Sequence, residues 1–174
     1  MRSQIAIGAG GGFVGGLAAS LALSILGVQG HAGQIARPIS LVAHTIRSDS
    51  LVTGCLVQIA ITTVIGALFG LLYPVAGLRR ESAAFWATAY GLAWWIVGWF
   101  AMMPPPLRYA PWAAVKDPAL FQLAVAGLLA GLAFGAALAS AFTLFGVPED
   151  SRRDARARAA RVAPANGALS AGRR

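Results

Sequence analysis

The sequence predicts an all-α membrane protein, a bundle of four transmembrane helices with one short helix at the membrane interface. Of the 174 residues, 57% are hydrophobic and only 11% are charged, whereas soluble domains carry roughly a quarter charged residues. Four apolar runs approach or exceed the roughly 20 residues that cross about 30 Å of hydrocarbon. Small residues also recur every four positions in three of these runs. Water is therefore not the main solvent of this chain.

The four predicted transmembrane helices are residues 5–28, 51–73, 83–103 and 119–147. None of these runs contains Asp, Glu, Lys, Arg or His. The first run follows Arg2 and could instead be a signal peptide, but its apolar stretch exceeds the roughly 7 to 15 residues typical of such a segment. We therefore interpret it as a retained helix. The fourth run is long, so we expect it to tilt or to extend beyond the hydrocarbon.

The connecting segments carry their own patterns. In residues 29–50, Pro38 suits the start of a short helix, and Ile39, Val42 and Ile46 recur at helical spacing. We expect this helix to lie at the membrane interface. The second long loop begins with three consecutive prolines, which end the third helix. Residues 148–174 form a basic tail that we expect to be disordered.

The distribution of cations predicts the orientation. Four crossings place both termini and the loop between the second and third helices on one side, and that side carries ten of the 14 Lys and Arg residues. The positive-inside rule makes this side cytoplasmic. The formal net charge is +8, but half of the 14 Lys and Arg residues lie in the tail, so we predict no nucleic-acid partner. Contact between the Arg-rich tail and anionic lipid remains open.

Small residues predict how the helices pack. Helix association in lipid depends on close van der Waals approach, which small residues spaced four apart allow. The predicted packing positions are Gly8, Gly12 and Gly16 in the first helix, Gly66 and Gly70 in the second, and Gly127, Gly131 and Gly135 in the fourth. These faces predict a tight bundle, or one that also pairs with another subunit or a second copy.

Polar side chains within the predicted helices are few. Gln58 and Thr62 lie one turn apart in the second helix, and Gln122 lies in the fourth. A buried amide in lipid needs a hydrogen-bond partner, so we predict that Gln58 contacts Gln122 between the two helices. The alternative is that all three residues line a polar path for a solute.

The sequence contains no set of residues typical of catalysis, and we predict no enzyme activity, no cofactor and no metal site. Cys55 is the single cysteine and is interpreted as a small packed residue. His31, His44 and Asp49 lie in one loop and are the only candidates for a metal or an enzyme site. The third helix is rich in Trp and Tyr. We interpret its aromatic face as a packing or lipid-facing surface, with a pigment, quinone or lipid site as the alternative.

One segment resembles a known family. PPLRYAPW, residues 105–112, lies between two hydrophobic helices and resembles the PP-x4-PW segment of the YagU-like inner-membrane proteins, and FGLLY, residues 69–73, is similar to the end of a helix in that family. The resemblance covers about residues 51–142. It implies a helical fold in the bacterial cytoplasmic membrane but no substrate. Thr62, Trp94 and Gln122 stand where the family carries helix histidines, so no role of those histidines carries over.

The favoured interpretation is a non-catalytic membrane protein that acts as an accessory subunit or scaffold in a membrane complex. The alternative is an oligomeric transporter or channel for a neutral or weakly polar solute, because four helices alone enclose little volume. The expected partners are the lipid bilayer and other membrane subunits or further copies of the chain.

Overall fold

The computed structural model describes residues 2–29, 35–76, 78, 82–105, 108 and 110–146. Five α-helices occupy most of them: α1 (Arg2–Ile25), α2 (Pro38–His44), α3 (Leu51–Val75), α4 (Ala83–Ile96) and α5 (Pro118–Phe145). Two short strands, β1 (Val28–Gln29) and β2 (Ile35–Ala36), pair antiparallel after α1. The architecture is therefore all-α, as the composition predicts.

Three helices are long and apolar enough to cross a membrane, over Ser3–Ile25, Leu51–Val75 and Pro118–Phe145. They indicate a multi-pass membrane protein in contact with a lipid bilayer. Three of the four predicted spans are therefore long apolar helices in the structure, with ends shifted by a few residues. The predicted tail, residues 148–174, and the cations Arg79 and Arg80 lie outside the described residues.

The predicted third span is not one long α-helix. The α-helical part, α4, has 14 residues and is shorter than the roughly 20 that a crossing needs. A π-helical segment of six residues, Val97–Met102, continues it. The structure therefore does not show a fourth α-helix that is long enough to cross a membrane.

Pro104 explains why the helix does not continue beyond the π-helical segment. The carbonyl of Phe100 would accept a hydrogen bond from residue 104 in an α-helix, but Pro104 has no N–H to donate. The backbone N–H of Trp112 donates to the Phe100 oxygen instead, and Met103 N–H donates to Gly98 O at 2.7 Å, a π-type bond. The loop therefore folds back onto the end of the helix, where a 3₁₀ turn (Ala113–Val115) leads to α5.

The short helix predicted in the first loop is present as α2. Pro38 stands in its first turn, and Pro38, Ile39, Val42 and Ala43 are buried. The carbonyl oxygen of Ile39 lies against Gly54 of α3. Ile46, which the helical spacing included, lies in the turn beyond α2 and is exposed.

The helices pack in the sequence α3, α1, α5, α4, with α1 between α3 and α5, and α4 on α5. Four rings from α3, α4 and α5 join near one end of the bundle, and we call them the aromatic cluster: Phe69, Tyr73, Tyr90 and Phe142. The ring centroids of Tyr73 and Phe142 are 4.6 Å apart, and those of Phe69 and Phe142 are 5.1 Å apart. The arrangement is an open ring of helices whose gap lies between α3 and α4.

Candidate functional site

A groove of about 630 Å³ opens between α3 and α4. Its size falls within the roughly 300 to 1,000 Å³ typical of small-molecule sites. Three helices supply most of its lining: Gln58, Ile61, Ile65 and Leu68 of α3; Trp94, Trp95, Gly98, Trp99 and Met102 of α4 and its π-helical extension; and Gly127, Ala130, Gly131 and Phe134 of α5. None of the lining residues is charged.

Glycine contacts hold α3 against α1 and away from α4. A Cβ atom on Gly66 would collide with the carbonyl oxygen of Gly8 and would stand 2.8 Å from the Cα of Gly12. A Cβ atom on Gly70 would collide with the carbonyl oxygen of Gln4. Gly16 faces the hydroxyl of Thr62 equally closely. The two backbones therefore touch along several turns, which only glycine permits.

The glycines of α5 accommodate side chains of α4. Gly127 lies directly under the indole of Trp99, and a Cβ atom on Gly131 would stand 2.9 Å from the Cβ of Trp95. A Cβ atom on Gly135 would stand 3.1 Å from the Cα of Thr88. Because these glycines have no side chains, the two indoles lie against α5 and form the wall and floor of the groove.

Other glycines were not singled out in the sequence. Gly11 and Gly15 face α5, where added Cβ atoms would stand 2.9 Å from the Cβ of Ala141 and 3.0 Å from the Cα of Phe134. The adjacent glycine pairs in α1 could have indicated these contacts, because two neighbouring rows of glycines on one helix can pack against two partner helices. Gly98 differs, because a Cβ atom there meets nothing within 4 Å although the residue lines the groove.

One hydrogen bond and one ring contact close one end of the groove, which we call the Tyr90 end. The hydroxyl of Tyr90 in α4 donates to the carbonyl oxygen of Ile65 in α3 at 3.0 Å. The ring centroids of Phe69 and Tyr90 are 5.0 Å apart. The opposite end borders α2, where Val42 and, just after the helix, Thr45 also line the groove, and we call it the α2 end.

The three predicted polar residues do not share one environment. The Thr62 hydroxyl donates to the carbonyl oxygens of Gln58 and Ile59, at 2.9 and 3.0 Å, so its donor is satisfied within its own helix. Gln58 lines the groove, and its side-chain amide makes no hydrogen bond to another described residue. Gln122 is exposed on α5 and is absent from the lining.

The predicted contact between Gln58 and Gln122 is therefore wrong. Gln122 lies with Phe121 and Val125 on the exposed face of α5, whereas Leu123 and Ala124 face the bundle. The sequence showed that both amides lie in apolar helices. The two sides of α5 differ little in hydrophobicity, so the sequence did not indicate which side faces the other helices.

The tryptophans of the groove differ in their hydrogen bonding. The indole N–H of Trp95 donates to the carbonyl oxygen of Ala124 at 2.7 Å, which joins α4 to α5. The indole N–H of Trp99 donates to no described residue. Trp99 packs beside the buried cluster that contains Leu23, Ile39 and Val42, which places it near the α2 end.

The remaining candidates lie outside the groove. His44 Nδ1 is 3.2 Å from Asp49 Oδ1, but the Asp49 side chain is 93% exposed. Within the described residues no three His, Cys, Asp or Glu side chains are grouped to hold a metal, and His31 lies outside those residues. The Sγ atom of Cys55 is 3.9 Å from the Ser24 hydroxyl, in the packing between α3 and α1.

A second depression, of about 700 Å³, lies on the loop before α5 and is lined by residues that include Trp112, Lys116 and Asp117. The Asp117 carboxylate is already engaged, because it accepts hydrogen bonds from the backbone N–H groups of Ala119 and Leu120 at 2.9 and 3.3 Å. This depression is more open than the groove, which is walled by three helices. The groove is therefore the stronger candidate site.

No protein family matches the chain, and neither does any curated protein or solved structure.

Proposed function

We propose that this chain is a four-span membrane protein that catalyses no reaction and acts as an accessory subunit, binding a hydrophobic component of the membrane in the groove between α3 and α4. The fourth span would be residues 83–102, where the α-helix of 14 residues and the π-helical segment of six follow each other directly. Both are apolar, and Trp94 to Trp99 lie within them. Both termini would be cytoplasmic, which the predicted distribution of Lys and Arg supports.

The observation that carries the proposal is the chemistry of the groove lining. Its residues are apolar or aromatic with two polar exceptions on α3, Gln58 and Thr62, and one just after α2, Thr45. The hydroxyls of Thr45 and Thr62 are both bonded to carbonyl oxygens of their own segments. The lining offers no acid, base or activated nucleophile. A site of this kind is suited to binding a hydrophobic component of the membrane.

The same geometry gives less support to the alternative, transport of a neutral solute. A polar path along Gln58, Thr62 and Gln122 would need all three residues on one surface, and Gln122 faces away. The Tyr90 end of the groove is also closed by the bond between Tyr90 and Ile65. The groove opens to the side, toward lipid, which favours binding of a membrane component.

Two glycine variants test the proposal. Gly98→Leu places a side chain in the groove, because a Cβ atom at Gly98 meets nothing within 4 Å. Gly10→Leu is the matched control, since a Cβ atom there is equally free and Gly10 in α1 is not part of the lining. Both variants and the wild type are purified from native membranes in a gentle detergent, and the mass and composition of each particle are measured.

We expect the wild-type particle to carry a stoichiometric hydrophobic component that Gly98→Leu loses and Gly10→Leu keeps. If all three particles have the same mass and composition, the groove is not the contact site and the proposal fails. Loss of the component in both variants would also overturn it, because the loss would then not depend on the groove.

A further inference from the structure

We propose that the groove binds one lipid-like amphiphile with an uncharged head, whose carbonyl or hydroxyl group is held by the side-chain amide of Gln58. Its hydrocarbon chain would lie along Ile61, Ile65 and Leu68 toward the Tyr90 end. This assignment rests on the proposed function, in which the groove is the contact site, and adds the chemical class of the occupant.

The first argument is the state of the Gln58 side chain. An amide inside hydrocarbon needs hydrogen-bond partners, since lipid chains offer none. Gln58 lines the groove, and its side-chain amide has no partner among the described residues. A ligand in the groove can supply the missing partner. A carbonyl or a hydroxyl group would serve, because an amide both donates and accepts.

Trp99 provides a second, independent polar group. Its indole N–H is a donor only, and it makes no hydrogen bond to a described residue, in contrast to the bonded indole of Trp95. Trp99 lines the same groove and packs beside Ile39 and Val42, near the α2 end. Two polar side chains without a hydrogen-bond partner among the described residues therefore line the same groove.

The polar and apolar parts of the groove are separated along its length. Gln58 follows the start of α3 by seven residues, which is about 10 Å along a helix. Leu68 lies about 15 Å further on. Between them the α3 lining has Ile61, Ile65 and Thr62, whose hydroxyl is already bonded to carbonyl oxygens of its own helix. The far end is closed by Tyr90. An amphiphile with its head at the α2 end and its chain toward the Tyr90 end matches this order.

The charge of the lining selects the head group. The lining contains no Lys, Arg or His, so a phosphate inside the groove would have no cation to pair with, and burying it would be costly. An ester carbonyl or a free hydroxyl carries no net charge. A neutral head is therefore favoured over an anionic one.

The volume argues against a transmembrane helix as the occupant. A helix about 10 Å in diameter that crosses about 30 Å of hydrocarbon occupies roughly 2,400 Å³, several times the volume of about 630 Å³ in the groove. The groove could hold only some of its side chains. The backbone of a helix is also hydrogen-bonded internally and offers no partner to Gln58.

The test uses the full chain, stripped of lipid in detergent and titrated with three defined probes under native mass spectrometry. The probes are a diacylglycerol, phosphatidic acid with the same acyl chains, and hexadecane. The variants are Gln58→Leu, Gln122→Leu and Gly98→Leu. Gln122 is the matched control, because it is also a membrane-helix glutamine but lies on the exposed face of α5. Gln58→Met repeats the measurement with a side chain of similar length.

We expect one diacylglycerol per wild-type chain and weaker binding of phosphatidic acid. Gln58→Leu and Gln58→Met should weaken diacylglycerol binding about threefold to tenfold, as expected for one hydrogen bond, without weakening hexadecane binding. Gln122→Leu should change neither, and Gly98→Leu should abolish both.

Two results would overturn the assignment while leaving the proposed function in place. In the first, Gly98→Leu abolishes binding but the Gln58 variants bind diacylglycerol as tightly as the wild type, so Gln58 does not recognise the head. In the second, the wild type binds none of the lipids, while Gly98→Leu still removes a protein chain from the native particle. If Gly98→Leu changes neither lipid binding nor the native particle, the proposed function itself fails.

Discussion

The hydroxyl of Tyr90 donates a hydrogen bond to the carbonyl oxygen of Ile65 at 3.0 Å, across the one side of the helix ring that is open. The Tyr90 ring also lies 5.0 Å from that of Phe69, measured between centroids. These contacts join α4 to α3 at one end of the groove, while the α2 end stays apart. The bond therefore helps to set the distance between the two walls of the groove, α3 and α4.

Removing this hydroxyl should loosen the groove without unfolding the bundle. Tyr90→Phe keeps the ring against Phe69 and should lower the free energy of unfolding by about 0.6 kcal/mol and by no more than about 1.7, the range for hydrogen bonds between membrane helices. Titration with a denaturing detergent measures the change. Ser140→Ala is the control, since the Ser140 hydroxyl bonds only to Ala136 of its own helix. Equal effects of the two variants would count against a bridging role for Tyr90.

The contact between α1 and α3 should tolerate no added methyl group. In Gly66→Ala the new Cβ atom would collide with the carbonyl oxygen of Gly8, so the helices must separate. Overpacking of this kind costs about 1 to 3 kcal/mol, which we expect as a loss of unfolding free energy. Gly10→Ala meets nothing within 4 Å and should be neutral or slightly stabilising, because Ala favours helix over Gly. An unchanged stability in Gly66→Ala would contradict the close approach of the two backbones.

A methyl group at Gly127 should move Trp99. The indole of Trp99 lies directly over Gly127, so Gly127→Ala requires the ring to turn toward the groove. We expect a change in the tryptophan emission spectrum and in near-ultraviolet circular dichroism. Gly98→Ala adds the same methyl group to another glycine of the groove lining, where it meets nothing within 4 Å, and should leave both spectra unaltered. Identical spectra for Gly127→Ala and the wild type would show that Trp99 does not pack on Gly127.

The first turn of α5 depends on its cap. Asp117→Ala removes the acceptor for the N–H groups of Ala119 and Leu120 and should lower the free energy of unfolding by about 0.5 to 2 kcal/mol. Asp49→Ala is the matched comparison, because Asp49 is 93% exposed beside His44 and an exposed ion pair contributes about 1 kcal/mol at most. Thermal unfolding in detergent ranks the two. A larger loss in Asp49→Ala would contradict the capping role.

The proposed fourth span and the orientation can be tested by labelling single cysteines in a Cys55→Ser background. Ser48 precedes α3, Ser82 precedes α4 and Lys116 precedes α5. An impermeant maleimide should label Ser48→Cys and Lys116→Cys in intact cells, but Ser82→Cys only after permeabilisation. Labelling of Ser82→Cys and Lys116→Cys from the same side would exclude a crossing by residues 83–102.

The sequence predicted the parts of the fold that depend on composition. Long apolar runs set α1, α3 and α5 to within a few residues, and Pro38 marked α2. The π-helical segment was not foreseen, and neither was the hydrogen bond from the Trp112 N–H to the Phe100 carbonyl beside it. That contact joins residues twelve apart and has no signature in helical periodicity.

The site was predictable only in part. Gln58 was identified as a polar group in a membrane helix. Which side of each helix faces the bundle could not be predicted, because α3 and α5 are apolar on all sides. Gln122 was therefore assigned to the wrong surface. Gly98 was overlooked because its importance lies in the space around it, which no residue pattern encodes.

The most direct measurement of the central claim is photo-crosslinking in vesicles that contain a neutral lipid with a diazirine on its acyl chain, followed by mapping of the modified residues. The account predicts adducts concentrated on Ile61, Ile65 and Leu68 and on the facing Met102, well above those on exposed apolar residues outside the lining such as Leu21 and Leu144. Gly98→Leu should reduce the groove adducts alone. Adducts spread evenly over every exposed apolar face, and unchanged in Gly98→Leu, would contradict the existence of a binding groove between α3 and α4.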